Sequence, residues 1–394
     1  MAGNNKQTLL IRLFPDIELF RKFISKLKIR MTLKYALGDD AVSAGETGSI
    51  DSVLEVCRSR WPKAFSDQNI EIDQIFTKLP EYCIYNDEQK ERTRKDMLFC
   101  YFAYGFTPTE YFVFRLEHKS DMERKEFISS RLRMVFRCKM NNILQADLFN
   151  DKAKTYEFFK PYYHRDAISI SRQRDLLLFR RFVEKHPVFV KKAVYEAQGN
   201  GVSLVDSQSC GMTVEMLFQS IVNSGRHILE ERLIQTTELS AFNESSVNTI
   251  RAITFNTKHG IRVPYCTIRT GKPGAFVDNG GAGGIQACID FQTGRIITDG
   301  FDESGNEYVS HPSSGTVFKG YQLPDWKQLQ SLLKNIALKV PLIRFIGWDL
   351  AHTKDGWTIV EGNENCYIIA QQMIRDKGMK REFEKLMDDM DLFA

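Results

Sequence analysis

The sequence predicts an α+β fold in which a helical N-terminal part precedes a part built mainly from strands. In the first 145 residues, apolar residues recur at three- and four-residue spacing, which is the pattern of helices packed along one side. After about residue 150, short β-branched runs alternate with glycine-containing turns, which is typical of strands joined by hairpins. The two sequence patterns therefore predict a helical part followed by a part rich in strands.

The first 145 residues are predicted to form a helical domain. Residues 88–104 and 122–140 carry apolar side chains at helical spacing between charged positions. Thr107 followed by Pro108 predicts a helix start, because threonine caps helix N-termini and proline is tolerated in the first turn. Because this part has no alternating strand pattern and no glycine-rich turn, we expect it to be helical throughout.

The rest of the chain is predicted to contain an isolated strand and three hairpins. Residues 188–194 form the strand, and the turn Gln198-Gly199-Asn200-Gly201 follows it. Each hairpin is predicted from two apolar runs around a short polar turn, and the residues are 250–256 with 261–269, 287–297 around Gly294, and 345–351 with 357–361. The last pair encloses Asp355-Gly356, which is a strong hairpin signal. Residues from Tyr367 onward are predicted to be helical.

Composition excludes several classes of protein. The chain has 394 residues and a net charge of +4, which is too small for a nucleic-acid-binding protein with a concentrated basic face. Its longest apolar stretch, residues 97–106, is far shorter than the ~20 residues of a membrane-spanning helix, and residues 1–7 lack an apolar signal core. The eight scattered cysteines form no Cys-x-x-Cys pair, which predicts reduced thiols and a cytoplasmic location.

The last predicted hairpin carries the strongest candidate metal site. Glu361 and Asn363 lie two residues apart and share a face if the strand stays extended, and Asp349 lies across the hairpin from them. Two carboxylates and an amide oxygen form a hard-oxygen site that suits Mg²⁺ better than zinc. The alternative is that Asp349 caps a turn and Glu361 is a solvated strand end.

A second candidate site is basic. Lys192 ends a predicted strand ahead of Gly199 and Gly201, and a glycine loop with a lysine can hold phosphate oxygens. No Gly-Lys-Ser/Thr follows, so this is not a Walker loop. Alternatively, Lys191 and Lys192 form an exposed strand end.

Charged residues inside the predicted strands leave further alternatives open. Arg251 and Arg269 lie among apolar neighbours, where a buried arginine needs an anionic partner. That partner is either a bound phosphate or carboxylate, or an internal salt bridge. Glu230 and Glu231 have the pattern of solvated surface charge. His352 is interpreted as a hairpin-turn residue, and without a Gly-x-Ser-x-Gly elbow a serine hydrolase is disfavoured.

Six blocks of sequence, taken in order, resemble one known family. The blocks are residues 151–152, 189–202, 229–235, 246–251, 277–279 with 283–285, and 347–349 with 361–363. In this order the chain resembles the ATP-grasp proteins, and among them the sugar-transfer-associated ATP-grasp family. The resemblance covers about residues 151–371 and is only loose before residue 145.

The resemblance implies an ATP-grasp fold, in which two α+β subdomains grip ATP behind a helical N-terminal domain. The implied domains are residues 1–145, residues 146–240 as the lid subdomain with the nucleotide hinge, and residues 241–394 with the magnesium site. Two departures occur, since Ala193 stands where the family usually has proline, and the usual histidine after the hinge is replaced near Gln235-Thr236. Neither removes a predicted metal ligand.

The resemblance also implies roles for individual residues, with ATP and Mg²⁺ as cofactors. The nucleotide-binding residues would be two phosphate-holding lysines, the lid glycines, the adenine hinge with Glu230 beside it, and a candidate for the ribose hydroxyls: Lys152, Lys192, Gly199, Gly201, Glu230, Glu231, Leu233 and Glu238. Arg251 would touch the transferred phosphate, and Arg269 and Lys192 are the other candidate catalytic residues. Asp349, Glu361 and Asn363 would bind Mg²⁺.

The activity implied by the resemblance is ATP-dependent ligation. The carboxylate would be activated as an acyl phosphate and attacked by an amine, in a saccharide context such as a uronic acid of a surface polysaccharide. The alternatives are an ATP-dependent kinase and a non-catalytic nucleotide-binding module. The expected partners are the carboxylate and the amine, with no nucleic acid and no membrane span, and a homodimer is left open.

Overall fold

The computed structural model of the protein describes residues 17–195, 201–274, 278 and 283–390. The chain groups into two compact units. The first contains the described residues up to Ile143, with Thr257–His259 and the residues from Tyr367 onward, and the second contains residues 144–256 and 260–366. The division into three domains stays a prediction.

The first unit is built from helices around an aromatic core. Phe99, Phe102 and Phe106 are almost completely buried, and Trp61 stacks on Phe102 with ring centroids 5.5 Å apart. The helices are Ile17–Thr32, Asp39–Glu46, Ile50–Arg60, Pro62–Lys78, Pro80–Cys83, Asp87–Tyr104, Pro108–Val113, Asp121–Arg124, Ser130–Met140, Ile369–Arg375 and Lys380–Asp388.

Hydrogen-bonded caps begin two of the predicted helices. The helix predicted over residues 88–104 is confirmed as Asp87–Tyr104. The start at Thr107 is also confirmed, because its side chain accepts a hydrogen bond from the backbone N–H of Glu110, whose carboxylate accepts one from the N–H of Thr107.

The helical pattern over residues 122–140 corresponds to two helices rather than one. The chain leaves the helix after Arg124 and starts a new one at Ser130. Ser129 caps the new helix by accepting a hydrogen bond from the backbone N–H of Leu132. The apolar spacing continues through the break, so periodicity did not reveal it, whereas the serine at the cap position was a usable signal.

The second unit contains two sheets. The smaller has four antiparallel strands in the order β1-β4-β2-β3, and the helices Leu176–Lys185 and Val214–Asn223 bury their apolar side chains with it. Its strands are β1 Ala167–Ile170, β2 Val188–Ala193, β3 Val202–Asp206 and β4 His227–Glu231. The strand predicted over residues 188–194 is therefore confirmed as β2.

The larger sheet follows the order β10-β9-β7-β6-β5-β11-β12, and β8 pairs with β7 at its side. Its strands are β5 Thr249–Thr257, β6 Gly260–Thr270, β7 Ile285–Asp290, β8 Arg295–Ile296, β9 Gly300–Phe301, β10 Glu307–Tyr308, β11 Phe345–Thr353 and β12 Gly356–Asn363. The three predicted hairpins correspond to β5–β6, β7–β8 and β11–β12. The unit also contains the helices Asp147–Asn150, Lys152–Phe159, Thr237–Ser240 and Trp326–Leu338.

The hairpin β11–β12 determines which residues face one another in the larger sheet. Asp349 lies opposite Glu361 on one side and opposite Arg251 of β5 on the other. The register shifts by one residue after Asp349, at a bulge. Gly356 closes the hairpin with φ 91°, a left-handed conformation that favours glycine. Pairing in this sheet thus brings Arg251 next to two acidic residues of a hairpin that lies about 100 residues further along the chain.

Among the helices of the described residues, none has both the length and the apolar content needed to cross a membrane.

Gly356→Ala should destabilise the second unit more than Gly260→Ala does. Both glycines have positive φ, 91° and 99°, so each alanine costs about 1 kcal/mol in backbone strain. Only at Gly356 would the new Cβ also meet Gln328, at 2.4 Å from its Nε2. Urea unfolding of the two variants measures the difference. Equal unfolding free energies would show that Gln328 moves aside without penalty.

Candidate functional site

A cavity of about 340 Å³ lies between the two sheets of the second unit. Val190 and Val202 line it from the smaller sheet, Val360 lines it from β12, and the residues after β4 form one wall. This last wall and its neighbours comprise Glu230, Glu231, Arg232, Leu233, Ile234 and Gln235, with Ser240, residues 244–247, Thr249 and Asp278. Apolar, charged and uncharged polar residues thus line the cavity in similar numbers, which suits a ligand with both apolar and polar parts.

Lys192 and Glu230 form an ion pair in the wall of this cavity. Lys192 Nζ lies 2.9 Å from Glu230 Oε2, and both residues line the cavity. Glu230 is 4% exposed, so its interpretation as solvated surface charge was wrong. Strand pairing explains the error, because β4 runs between β1 and β2 in the smaller sheet.

Arg165 completes this charged cluster and was missed in the sequence. Its Nε and Nη2 donate to Glu230 Oε2 at 2.9 and 2.7 Å. Its Nη1 and Nη2 also donate to the backbone carbonyls of Ile359 and Val360 in β12, at 2.6 and 3.4 Å. Arg165 thus ties the smaller sheet to the larger one at the cavity. No local pattern around His164-Arg165-Asp166 marks it.

The electrostatics of Glu230 follow from these partners. Burial alone would raise the pKa of its carboxyl, but Arg165 and Lys192 outweigh burial and lower the pKa to about 2. The carboxylate is therefore ionised at neutral pH, and both cations are held at its oxygen.

Of the two adjacent lysines in β2, only Lys192 lines the cavity. Val190 and Lys192 both line the cavity, as expected for residues two apart in a strand. Lys191 lies between them in β2, so its side chain points to the other face of the sheet. Only Lys192 of the pair is placed to reach a ligand in the cavity.

The segment after β4 is held by hydrogen bonds that the sequence did not predict. The side chain of Gln235 donates to the carbonyls of Asn243 and Ser246, at 3.0 and 2.7 Å. Its Oε1 accepts from the backbone N–H of Asn248 at 2.8 Å. One amide side chain therefore fixes two walls of the cavity relative to each other.

Only some of the predicted hinge and lid residues line the cavity. Glu231 and Leu233 line the cavity, but Glu238 does not. Glu238 lies in the short helix Thr237–Ser240, where its carboxylate accepts a hydrogen bond from Oγ1 of the preceding Thr237 at 3.3 Å. Gly201 has φ 69°, and its carbonyl accepts a hydrogen bond from the N–H of Ala193. Gly199 lies outside the described residues.

His352 lies within β11, so its interpretation as a hairpin-turn residue was wrong. It is 5% exposed. Its Nδ1 lies 3.0 Å from Thr236 Oγ1, and its Nε2 lies 3.1 Å from Asp325 Oδ2. These contacts attach the segment after β4 to the larger sheet and have a structural role.

Asp349 is the centre of a second charged cluster. Arg251 donates to it in bidentate fashion, from Nε to Oδ1 at 2.5 Å and from Nη2 to Oδ2 at 2.9 Å. Arg269 Nη1 donates to Oδ1 at 2.9 Å. Of the alternatives left open by the sequence, the structure contains the internal salt bridge for both arginines, and Asp349 caps no turn.

The same contacts determine the ionisation of this cluster. Burial raises the pKa of Asp349, but Arg251 and Arg269 together outweigh burial and keep the pKa below its ordinary value. The pKa of the Arg251 guanidinium is raised, since burial disfavours its charge less than Asp349 stabilises it. Asp349 is therefore a carboxylate at neutral pH.

The other two predicted metal ligands lie beside Asp349. Asn363 Nδ2 lies 3.3 Å from Asp349 Oδ2, and Glu361 is the cross-strand partner of Asp349. Lys152 Nζ lies 3.6 Å from Glu361 Oε1. The structure thus brings together all three predicted metal ligands and one of the two predicted phosphate-holding lysines.

Asp278 connects this cluster to the cavity. It lines the cavity, accepts a hydrogen bond from Thr249 Oγ1, and lies 3.4 Å from Arg269 Nη2. Burial raises its pKa, although Arg269 acts in the opposite direction. Asp278 belongs to one of the six sequence blocks that resemble the ATP-grasp family, although no role was predicted for it.

The side chains of the second cluster fit a hard divalent cation that arrives with an anion. Asp349, Glu361 and Asn363 supply the oxygen donors that Mg²⁺ prefers. Arg251, Arg269 and Lys152 carry three positive charges, and they are paired with Asp349, Glu361 and Asp278. A lone cation would therefore have to compete with side-chain cations for these oxygens, whereas a cation bound to a polyphosphate would bring anionic oxygens for those side chains.

Comparisons with known proteins gave one family match and several structural ones. The sequence matches the family model described as sugar-transfer associated ATP-grasp over residues 131–387, which is more than half of the chain. A search of curated proteins gave no match.

The solved structures that resemble the chain are distant in sequence. The ATP-grasp ligase PsnB, complexed with a precursor peptide and AMPPNP, is 10% identical over 70% of each chain, with a TM-score of 0.39. The D-alanine-D-alanine ligase from Helicobacter pylori is 15% identical over 64% of each chain, with a TM-score of 0.41. The N5-carboxyaminoimidazole synthetase from Staphylococcus aureus, complexed with ADP, is 10% identical over 68% of this chain and 60% of its own, with a TM-score of 0.42.

The ion cluster at Glu230 should make stability pH-dependent in acid. Folding lowers the pKa of the Glu230 carboxyl from 4.5 to about 2. The contribution of this carboxylate to the free energy of unfolding is therefore complete above about pH 4.5 and is lost as the pH falls towards 2. A shift of this size is worth about 3 kcal/mol. Urea unfolding of the wild type and Glu230→Gln should give a free-energy gap that narrows over this range. A constant gap from pH 6 to pH 2.5 would contradict the ionised pair.

Proposed function

Because the chain belongs to the sugar-transfer-associated ATP-grasp family, we propose that it is an ATP-dependent ligase that joins a carboxylate to an amine through an acyl phosphate. The observation that carries the proposal is the continuity of the two clusters. The cavity contacts Asp278, Asp278 contacts Arg269, and Arg269 contacts Asp349. A ligand with an apolar ring at one end and phosphates at the other fits this sequence of surfaces.

The nucleotide would bind with its base against the apolar walls. Val190, Val202, Leu233 and Val360 supply flat aliphatic contacts, and the backbone after Glu230 supplies hydrogen-bonding groups. Lys192 would then hold a phosphate from the smaller sheet, and Lys152 would hold one from beside Glu361. The role of Glu238 towards the ribose stays a prediction, as do those of Gly199 and Gly201.

The chemistry needs positioning and charge neutralisation more than a protein nucleophile. An oxygen of the substrate carboxylate attacks the γ-phosphorus of ATP, and ADP leaves. The amine nitrogen then attacks the acyl carbon, phosphate leaves, and the nitrogen loses a proton. Arg251 and Arg269 would stabilise the charge of the transferred group. Asp349, Glu361 and Asn363 would hold Mg²⁺, which when bound supplies charge neutralisation for the phosphates.

The acid substrate is proposed to be a sugar acid. The family description supports a saccharide context, and a uronic acid combines a sugar with the required carboxylate. A role in surface polysaccharide synthesis, in the cytoplasm where ATP is made, follows from the same association. A homodimer stays a prediction.

One assay tests this proposal against its alternatives. ADP release is measured with ATP, Mg²⁺ and a panel of uronic acids, with and without a panel of amino acids and amines. A ligase should release stoichiometric ADP only when acid and amine are both present. ADP release that needs no amine and leaves a stable phosphorylated sugar would indicate a kinase. ATP binding without turnover under every condition would indicate a non-catalytic module.

Glu361→Gln should lower Mg²⁺-dependent ADP release by on the order of 100-fold or more, because hard-cation binding needs the carboxylate charge. Glu361 is a better test than Asp349, since its side chain is 37% exposed and its replacement leaves the two arginine pairs intact. Glu307→Gln, in exposed β10 of the same sheet, is the control and should be neutral. Normal turnover of Glu361→Gln would remove it from the metal site.

Lys192→Met should reduce turnover by on the order of 100-fold or more at saturating ATP, by analogy with the loss of one preorganised donor. Lys191→Met is the matched control, because its side chain points away from the cavity and its loss should change stability by less than about 0.5 kcal/mol. Steady-state ADP release compares them. A dead Lys191→Met with an active Lys192→Met would reverse the assignment, and two active variants would end it.

A further inference from the structure

The helix Ile17–Thr32 of the first unit presents an apolar stripe to solvent. Phe23, Leu27 and Met31 are 49%, 45% and 68% exposed. They are spaced four residues apart, so they lie on one face of a helix with 3.6 residues per turn. Together they form a continuous strip of exposed apolar surface about two turns long.

The opposite face of this helix is the one that packs on the protein. Ser25 is 2% exposed, and the helix packs against Ser130–Met140 of the same unit. On a helical projection, Ser25 lies roughly opposite the line through Phe23, Leu27 and Met31. The exposed stripe is therefore the outward face of a helix that is already docked.

The same segment concentrates positive charge. Residues 21–34 contain six basic residues and no acidic one: Arg21, Lys22, Lys26, Lys28, Arg30 and Lys34. The whole chain has a net charge of only +4, so the remainder of the chain is slightly acidic. Lys26 and Arg30 fall next to the apolar stripe on the projection, and Lys34 follows just after the helix ends. The basic character is thus local to this helix.

We propose that the helix Ile17–Thr32 binds the surface of an anionic lipid bilayer, lying in the plane of the interface. The apolar stripe would enter the boundary between headgroups and acyl chains, and the flanking lysines and arginines would contact lipid phosphates. Charge complementarity between the basic helix and the lipid phosphates favours a membrane surface over other partners. A nucleic acid would use the cations but leave Phe23, Leu27 and Met31 in water, and an apolar protein partner would leave the cations unpaired.

This assignment is independent of the nucleotide cavity, which lies in the other unit. No described helix can span a bilayer, so the binding would be peripheral and reversible. A single short stripe with a basic flank gives modest affinity that falls as salt rises.

Flotation of the full-length protein with vesicles tests the assignment. Vesicles of phosphatidylcholine alone are compared with vesicles containing phosphatidylglycerol at one part in four. We expect binding to the anionic vesicles only, and weaker binding at 0.5 M NaCl than at 0.1 M NaCl. Equal binding to both vesicle types, or no binding to either, would overturn the proposal.

Matched variants separate the apolar contribution from the charge. Leu27→Gln with Met31→Gln should weaken binding at least about tenfold, because the buried apolar area is lost. Ile84→Gln is the control, since Ile84 is 84% exposed on the same unit but lies outside the stripe. Lys26→Gln should weaken binding about fivefold, the equivalent of about 1 kcal/mol per surface cation. Lys354→Gln, with a side chain 88% exposed, is its control.

Two results would assign the stripe differently. If the Leu27→Gln/Met31→Gln variant binds anionic vesicles as well as the wild type, the stripe does not enter the bilayer. If light scattering shows that the wild type is a dimer and this variant a monomer, while vesicle binding is absent, the stripe is a contact between copies of the chain. Retention of the wild-type melting temperature by the variant confirms that its fold is intact.

Discussion

The buried ion cluster of Arg165, Glu230 and Lys192 is the interaction on which the cavity depends. An ionised carboxylate taken out of water is unfavourable unless charged partners surround it, and removal of one partner leaves an uncompensated charge. Here one oxygen of Glu230 accepts from two cations. Arg165 also donates to two backbone carbonyls of β12 and to the carbonyl of Tyr163. The carboxylate in the smaller sheet therefore orients an arginine that is also hydrogen-bonded to the larger sheet. This link fixes the position of the two sheets on either side of the cavity.

The same cluster explains why Lys192 is available to a ligand. Its side chain is 14% exposed, and Glu230 holds its ammonium group at the cavity wall. Because Arg165 also neutralises Glu230, Lys192 can turn towards an anion without leaving the carboxylate alone. The second cluster has the same arrangement, because Arg251 and Arg269 both donate hydrogen bonds to one carboxylate, that of Asp349. In each cluster one carboxylate keeps two cations in place, so the site is preorganised for negative charge.

Local features of the fold could be predicted from the sequence, whereas the long-range ones could not. The Asp355-Gly356 turn and the helix start at Thr107 depend on residues that are neighbours in sequence, and both were predicted. Arg165 is 65 residues from Glu230 and about 195 from the carbonyls that it contacts, so no spacing rule reveals it. Glu230 looked like surface charge because its burial arises from β1 and β2 pairing on either side of β4. The proximity of the three candidate metal ligands was predictable, because one hairpin carries all of them.

The charge balance of the second cluster has a consequence for the order of binding. Glu361 and Asp349 are adjacent across the hairpin, but Lys152 and two arginines already neutralise them. A free divalent cation would have to compete with these side chains for the same oxygens, and it would place further positive charge beside three cationic side chains. A nucleotide polyphosphate changes the balance, because its oxygens can take over the arginines and lysine and release the carboxylates for the cation. The geometry therefore favours a cation and a polyphosphate that bind together, with Asp278 and Arg269 carrying the contact between the cavity and the cluster.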